Sequence, residues 1–247
     1  MGVLNEQLYT LWANFREQGL GMAYNYTVFR AFYGVHSRPV AWLLNKYAPY
    51  PPYIEVEITT TCDLRCTMCE HTYWDEPQVM MPYEKLVSIL DQFPKLRWVD
   101  FTGIGESFLH PRYIDMVREA KRRGVYYELY DAMHRCTPDL SEELVKMGVN
   151  RIQPSIDGCT KETYENIRVR AKWEEVYANL EGLHRAKDKY NKRLPEVSYH
   201  FIIQKQNAHE MGDYVKMVRG LAQKQAVTIT FTELLKEFPK IIGQKYD

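Results

Sequence analysis

Apolar and polar residues alternate with period two over Tyr53–Thr59 (YIEVEIT), which predicts a strand. Beyond it the period switches back and forth. Leu86, Val87, Leu90 and Phe93 share one helical stripe within 82–93, and 98–102 reads as a strand. A helix over 113–123 stops at Gly124, and a strand follows over 125–130. A helix over 141–147 stops at Gly148 before a strand over 149–156. The longest predicted helix, 173–190, carries Trp173, Val176, Tyr177, Leu180, Leu183 and His184 on one face. A strand over 197–203, a helix over 211–221 and a strand over 227–231 complete the pattern, leaving 232–247 as a tail that begins as helix. Each strand-to-strand interval has room for a crossover helix, so the class is α/β with a parallel sheet. Six such units form either an open doubly wound sheet or a partial barrel. In both, chemistry sits at the carboxyl ends of the strands.

Residues 1–52 differ from this core. Leu4, Leu8, Leu11, Trp12 and Phe15 recur at helical spacing, and Val40, Leu43, Leu44 and Tyr47 suggest a second short helix. Aromatic residues are dense and charges few, and Pro49-Tyr50-Pro51-Pro52 closes the segment. Rings in that number need a partner surface, so the segment is expected to cap the core of 53–232 and to help shape its substrate site, close to the first strand's loop.

Composition narrows the function classes. Lys and Arg number 32, as do Asp and Glu, which argues against nucleic acid as the main partner. No apolar run approaches a membrane span, and no signal peptide opens the sequence, so a reducing, cytoplasmic setting is expected for its five cysteines. Three of them, Cys62, Cys66 and Cys69, form C-x3-C-x2-C directly after the first strand. Thiolates select Fe–S clusters, zinc or Cu(I). Structural zinc sites take four ligands, usually as two separated pairs, and His71 is too close to Cys69 to serve as the fourth. Three thiolates suit a cubane cluster with one open iron. Ordinary buried cysteines are the bland alternative.

Two further loops carry chemistry. After the second strand comes Gly103-Ile104-Gly105-Glu106, followed by Ser107-Phe108-Leu109-His110-Pro111. Its glycines expose backbone to a ligand, and Glu106 suits an ammonium; a tight turn with a solvated Glu reads equally well. After the fourth strand, Ser155-Ile156-Asp157-Gly158 suits sugar hydroxyls, or alternatively an Asp–Gly turn before a helix.

The triplet, GIGE and NRIQPSIDG, in that order and each at a strand end, resemble the radical S-adenosylmethionine enzymes, above all the group containing peptide maturases and molybdenum-cofactor cyclising enzymes. The resemblance covers about 53–232. It implies a partial (β/α)6 TIM-like barrel, here with an N-terminal helical extension. It implies that Cys62, Cys66 and Cys69 ligate a [4Fe–4S] cluster and that S-adenosylmethionine is the second cofactor. Gly103, Ile104, Gly105 and Glu106 match the segment that holds the methionyl amine. Ser155 and Asp157 match positions that meet its ribose or carboxylate, and Asn207 in IIQKQN faces the same pocket. Met68 stands where the family usually has an aromatic residue, and covers the adenine in its place. Implied partners are a small-molecule or peptide substrate and an external one-electron reductant of flavodoxin or ferredoxin type; an oligomer is compatible.

The chain also departs from the family pattern. Ser107 replaces the usual Pro, and Tyr130-Asp131-Ala132-Met133-His134 replaces Thr-Asn-Gly after the third strand. Asp131 and His134 are therefore candidates to act on a proton. Cys136 and Cys159, in loops after the third and fourth strands, are candidate hydrogen donors to a substrate radical, with unreactive thiols as the plainer reading. Fifteen residues follow Thr232 and none is Cys, so no auxiliary-cluster domain is expected within this sequence. Competing readings are a non-catalytic Fe–S electron carrier or zinc-binding module, and a piece of a longer enzyme.

Overall fold

The computed structural model describes residues 3–33, 42, 51–75 and 77–234. Six parallel strands, β1 (Tyr53–Glu55), β3 (Trp98–Asp100), β4 (Tyr126–Asp131), β5 (Arg151–Pro154), β7 (Glu196–Ile203) and β8 (Val227–Glu233), pair in the order β1-β3-β4-β5-β7-β8. Spatial order equals chain order, as right-handed crossovers in one direction produce. The crossovers carry α3 (Tyr83–Asp91), α4 (Tyr113–Arg122), α5 (Pro138–Met147), α7 (Trp173–Lys189) and α8 (Met211–Ala222). Gly148 ends α5 in the left-handed region at φ 75°, a conformation that favours glycine. Val99, Tyr127, Leu129, Ile152 and Val197 bury one sheet face against these helices, where Tyr113 and Tyr127 share a hydroxyl hydrogen bond of 2.9 Å. Among the described residues β1 and β8 do not pair with each other, so the sheet stays open on one side.

Two pieces are absent from the hydrophobic pattern. A two-residue antiparallel ribbon joins β2 (Arg65–Cys66) to β6 (Arg168–Val169), which follows α6 (Lys161–Ile167). The last strand also runs on to Glu233, where the sequence reading begins a helical tail; residues 235–247 lie outside the described residues.

The N-terminal segment folds as α1 (Val3–Gln18) and α2 (Leu20–Tyr33), broken at Gly19 with φ 84°. The expected second helix around 40–47 lies outside the described residues. The helices dock on the core, at the end opposite the one expected. Thr10 donates to Glu196 (2.7 Å), Gln18 to the Gly148 carbonyl (2.9 Å) and Asn25 to the Gly124 carbonyl (2.9 Å). Asn150 donates to Asn14 at 2.7 Å. All four partners precede or begin strands, so α1 and α2 cover the amino ends of the barrel, away from the carboxyl-end loops. There Tyr26 stacks on Trp98, and Trp98 on Tyr126, with ring centroids 6.2 and 3.6 Å apart. The expected apolar stripe is not the docking face: Leu8, Trp12 and Phe15 are 54%, 42% and 48% exposed. Thr10, Ala13 and Asn14 are buried instead. The strand starts present carbonyls and amides that need partners, and a polar stripe satisfies them where leucines cannot.

Candidate cofactor site

The carboxyl ends of β1, β3, β4, β5 and β7 surround a cavity of about 360 Å³. Cys62, Cys66, Met68 and Cys69 line it from the loop after β1, and Gly103, Ile104, Gly105 and Glu106 from the loop after β3. Asp131 and Ser155 complete the predicted residues that reach it. Thr102, Tyr130, Ala132, Arg168 and Ile202 also line it, and sequence reasoning missed them.

The cysteine loop is held by its own backbone. Arg65 donates to the Cys62 and Leu64 carbonyls at 3.0 and 2.7 Å, and Cys69 N donates to Cys66 O at 3.1 Å. Pairing of Cys66 with Arg168 in the ribbon fixes the middle thiol. Burial pushes all three thiols up, Cys62 to about 12. A metal centre supplies the positive charge that makes such thiols into thiolates. Among the described residues no three His, Cys, Asp or Glu side chains converge as a single ion requires. Three thiols on one cavity are the ligand number that a cubane cluster with one open iron takes, whereas structural zinc takes four.

The glycines beside Glu106 answer a close approach. A Cβ on Gly105 would collide with the Thr59 carbonyl, and one on Gly103 with the Glu57 side chain. Glu106 N donates to the Thr61 carbonyl at 2.7 Å, tying this loop to the cysteine loop. Ser107, in the usual Pro position, is buried and donates to the Phe101 carbonyl at 2.9 Å. The Glu106 side chain accepts from Phe108 N at 3.2 Å and is otherwise enclosed. Burial and the neighbouring Asp131 carboxyl push Glu106 well up, and burial pushes Asp131 up as well. Two enclosed carboxyls beside a cavity provide a receptor for an incoming cation.

Several expected contacts fall elsewhere. Asp157 is buried away from the cavity: Oδ2 accepts from Arg168 Nε and Nη2 at 2.7 and 2.6 Å, and Oδ1 from Ile202 N at 2.8 Å. Its carboxylate is thus used to seat Arg168, whose guanidinium reaches the cavity and approaches Cys66 Sγ at 4.0 Å. Asn207 is likewise buried, donating to the Asp157 and Ile202 carbonyls at 3.0 and 2.8 Å and accepting from Gln204 N; it locks the turn after β7 and does not line the cavity. His134 stands behind the wall: Nε2 lies 2.7 Å from Asp63, while Nδ1, 3.5 Å from Glu106, makes no hydrogen bond, and the side chain does not line the cavity. Cys136 is fully buried 3.5 Å from the Ser141 hydroxyl, and Cys159 sits beside Glu210. Neither thiol lines the cavity, so the structure does not bring the candidate hydrogen donors to it.

Sequence comparison agrees with this geometry. The Radical SAM superfamily model matches residues 56–218, most of the chain, and the chain belongs to that superfamily of enzymes. Its members use a [4Fe–4S] cluster and S-adenosylmethionine. The chain is 39% identical over 108 residues to the tungsten-containing aldehyde ferredoxin oxidoreductase cofactor-modifying protein of Pyrococcus furiosus, covering 42% of this chain and 30% of that one. It is 25% identical over 147 residues to the GTP 3',8-cyclase of Microcystis aeruginosa, covering 54% and 44%. The chain thus spans less than half the length of these relatives. Streptococcus suis SuiB bound to S-adenosylmethionine shares the partial-barrel fold at TM-score 0.64 and 13% identity, over 98% of this chain and 60% of SuiB. Among the described residues no helix is long and apolar enough to cross a membrane.

Proposed function

We propose that this chain carries the catalytic core of a radical S-adenosylmethionine enzyme, with Cys62, Cys66 and Cys69 holding the cluster. The observation that carries this reading is that the three thiols and Glu106 line one cavity at the carboxyl ends of parallel strands. When bound, the cluster and S-adenosylmethionine supply a 5′-deoxyadenosyl radical able to take a hydrogen atom from substrate. The protein's own work is placement and exclusion of water. Glu106, with Asp131 beside it, receives the methionyl ammonium. Arg168, seated by Asp157, faces the methionyl carboxylate. Met68 is buried at the cavity wall and packs on the adenine, and Ser155 offers its hydroxyl to the ribose. The electron comes from an external reductant of flavodoxin or ferredoxin type, and the substrate is a small metabolite or a peptide.

Glu106→Gln tests the amine assignment. A charged hydrogen bond contributes about 1.5–3 kcal/mol. The variant is expected to assemble its cluster and to bind S-adenosylmethionine at least about tenfold more weakly, read from the concentration that shifts the reduced cluster's low-temperature spin signal. An unchanged midpoint would show that Glu106 does not receive the ammonium.

A further inference from the structure

Arg168 stands against the middle cysteine, and backbone fixes it there. It is the register partner of Cys66 in the β2–β6 ribbon, and beside it Thr67 N donates to the Ile167 carbonyl at 2.9 Å. The side chain is buried, and its planar fork is divided between two neighbours. Nε and Nη2 donate to Asp157 Oδ2 at 2.7 and 2.6 Å, which leaves Nη1 toward Cys66 Sγ at 4.0 Å. Asp157 is held in turn: Ile202 N donates to its Oδ1 at 2.8 Å, and Asn207 Nδ2 to its carbonyl at 3.0 Å. Neither charge can swing away without breaking this seat.

The two charges act unequally on the thiol. The guanidinium touches both Cys66 and the Asp157 carboxylate, so its positive charge is the nearer one. Arg65, in the cysteine loop itself, turns Nη1 to the Cys62 and Leu64 carbonyls instead. Burial pushes the Cys66 and Cys69 thiols up, and Arg168 pulls both down. A guanidinium keeps its proton throughout the accessible pH range, so this charge is permanent. Placed beside a ligand sulfur in a poorly hydrated wall, it favours the electron-richer state of the centre that the sulfur holds. Net charge, hydrogen bonds to the sulfurs and solvent exposure are what set the potential of an Fe–S cluster.

We propose that Arg168 sets the reduction potential of the cluster: its guanidinium raises the potential through Cys66, and Asp157 limits the rise. This rests on the radical S-adenosylmethionine reading, which puts the cluster on Cys66. The role is separate from facing the methionyl carboxylate, because it operates before S-adenosylmethionine is bound. In it Arg168 is a positioning residue, acting on the cluster through a ligand and bringing it within reach of an external one-electron donor.

The test is a redox titration of the cluster-loaded protein without S-adenosylmethionine, following the low-temperature spin signal of the reduced cluster. Arg168→Gln is expected to lower the midpoint by at least about 59 mV, which is tenfold for one electron. Asp157→Asn is expected to raise it. Arg168→Lys keeps the charge and should lie closer to the parent than to Arg168→Gln. A merely structural role predicts the opposite sign for Arg168→Gln, because a loosened wall admits water, and water favours the more highly charged reduced cluster. Arg168→Gln leaves the Asp157 carboxylate buried alone, so the double variant with Asp157→Asn gives a second reading. Its midpoint should fall at least about 59 mV below that of Asp157→Asn alone. An Arg168→Gln midpoint that is unmoved or raised, or a double variant level with Asp157→Asn, would overturn the proposal; where that protein still forms 5′-deoxyadenosine, the functional reading stands. Midpoints that move as expected in a protein that forms no 5′-deoxyadenosine would uphold the proposal and fault the functional reading instead.

Discussion

Replacing Cys66 with Ala is expected to abolish the cluster and with it all cleavage of S-adenosylmethionine. Three thiols face the cavity, and among the described residues the other two cysteines, Cys136 and Cys159, do not line it. No spare thiolate can rotate in. Cys66 is the most constrained of the three, since its backbone pairs with Arg168 and it is buried where Cys62 and Cys69 are only partly so. The substitution deletes one sulfur from a buried position and costs little folding stability beside its effect on metal binding. Iron and sulfide content after anaerobic reconstitution should fall to background, and the reduced protein should lack a cubane spin signal. A Cys66→Ala variant with a full, redox-active cluster would mean that the ligands are elsewhere.

Asp157→Ala is expected to destabilise the fold by about 3–5 kcal/mol, because it leaves the Arg168 guanidinium buried without its counter-charge. The Ile202 amide loses its acceptor as well. Asp157→Asn should lose less, since a carbonyl oxygen still accepts from Ile202. Denaturant unfolding of the three proteins, compared at unchanged slope, reads the order directly. If Asp157 instead met the cofactor, as the sequence resemblance implies, both variants would unfold within about 1 kcal/mol of the parent and show only weakened S-adenosylmethionine binding.

This contrast shows where sequence is informative and where it stops. The strands and crossover helices were legible because burial against helices forces a repeating apolar pattern that neighbours cannot disguise. The cysteine triplet and the GIGE loop were legible because each is a single contiguous turn whose chemistry is complete within a few residues. Arg168 was not: it meets Cys66 through a two-residue ribbon joining segments about a hundred positions apart, too short to carry a period. Asp157 and Asn207 were placed at the right strand ends and turned the wrong way, because residue type does not disclose which neighbour occupies a carboxylate's or an amide's lone pairs. The docking end of α1 and α2 was misjudged because hydrophobic spacing identifies a helix and not its partner, and on α1 the buried face carries Thr10 and Asn14 while Leu8, Trp12 and Phe15 stay exposed.

The proposed activity, reductive cleavage of S-adenosylmethionine at a cluster held by Cys62, Cys66 and Cys69, has one direct measurement. The protein is loaded with iron and sulfide without oxygen, reduced with dithionite, given S-adenosylmethionine, and its products separated by chromatography. 5′-Deoxyadenosine and methionine are expected in equal amounts, and none from the Cys66→Ala variant. A protein with a complete, reduced [4Fe–4S] cluster that forms no 5′-deoxyadenosine would contradict it.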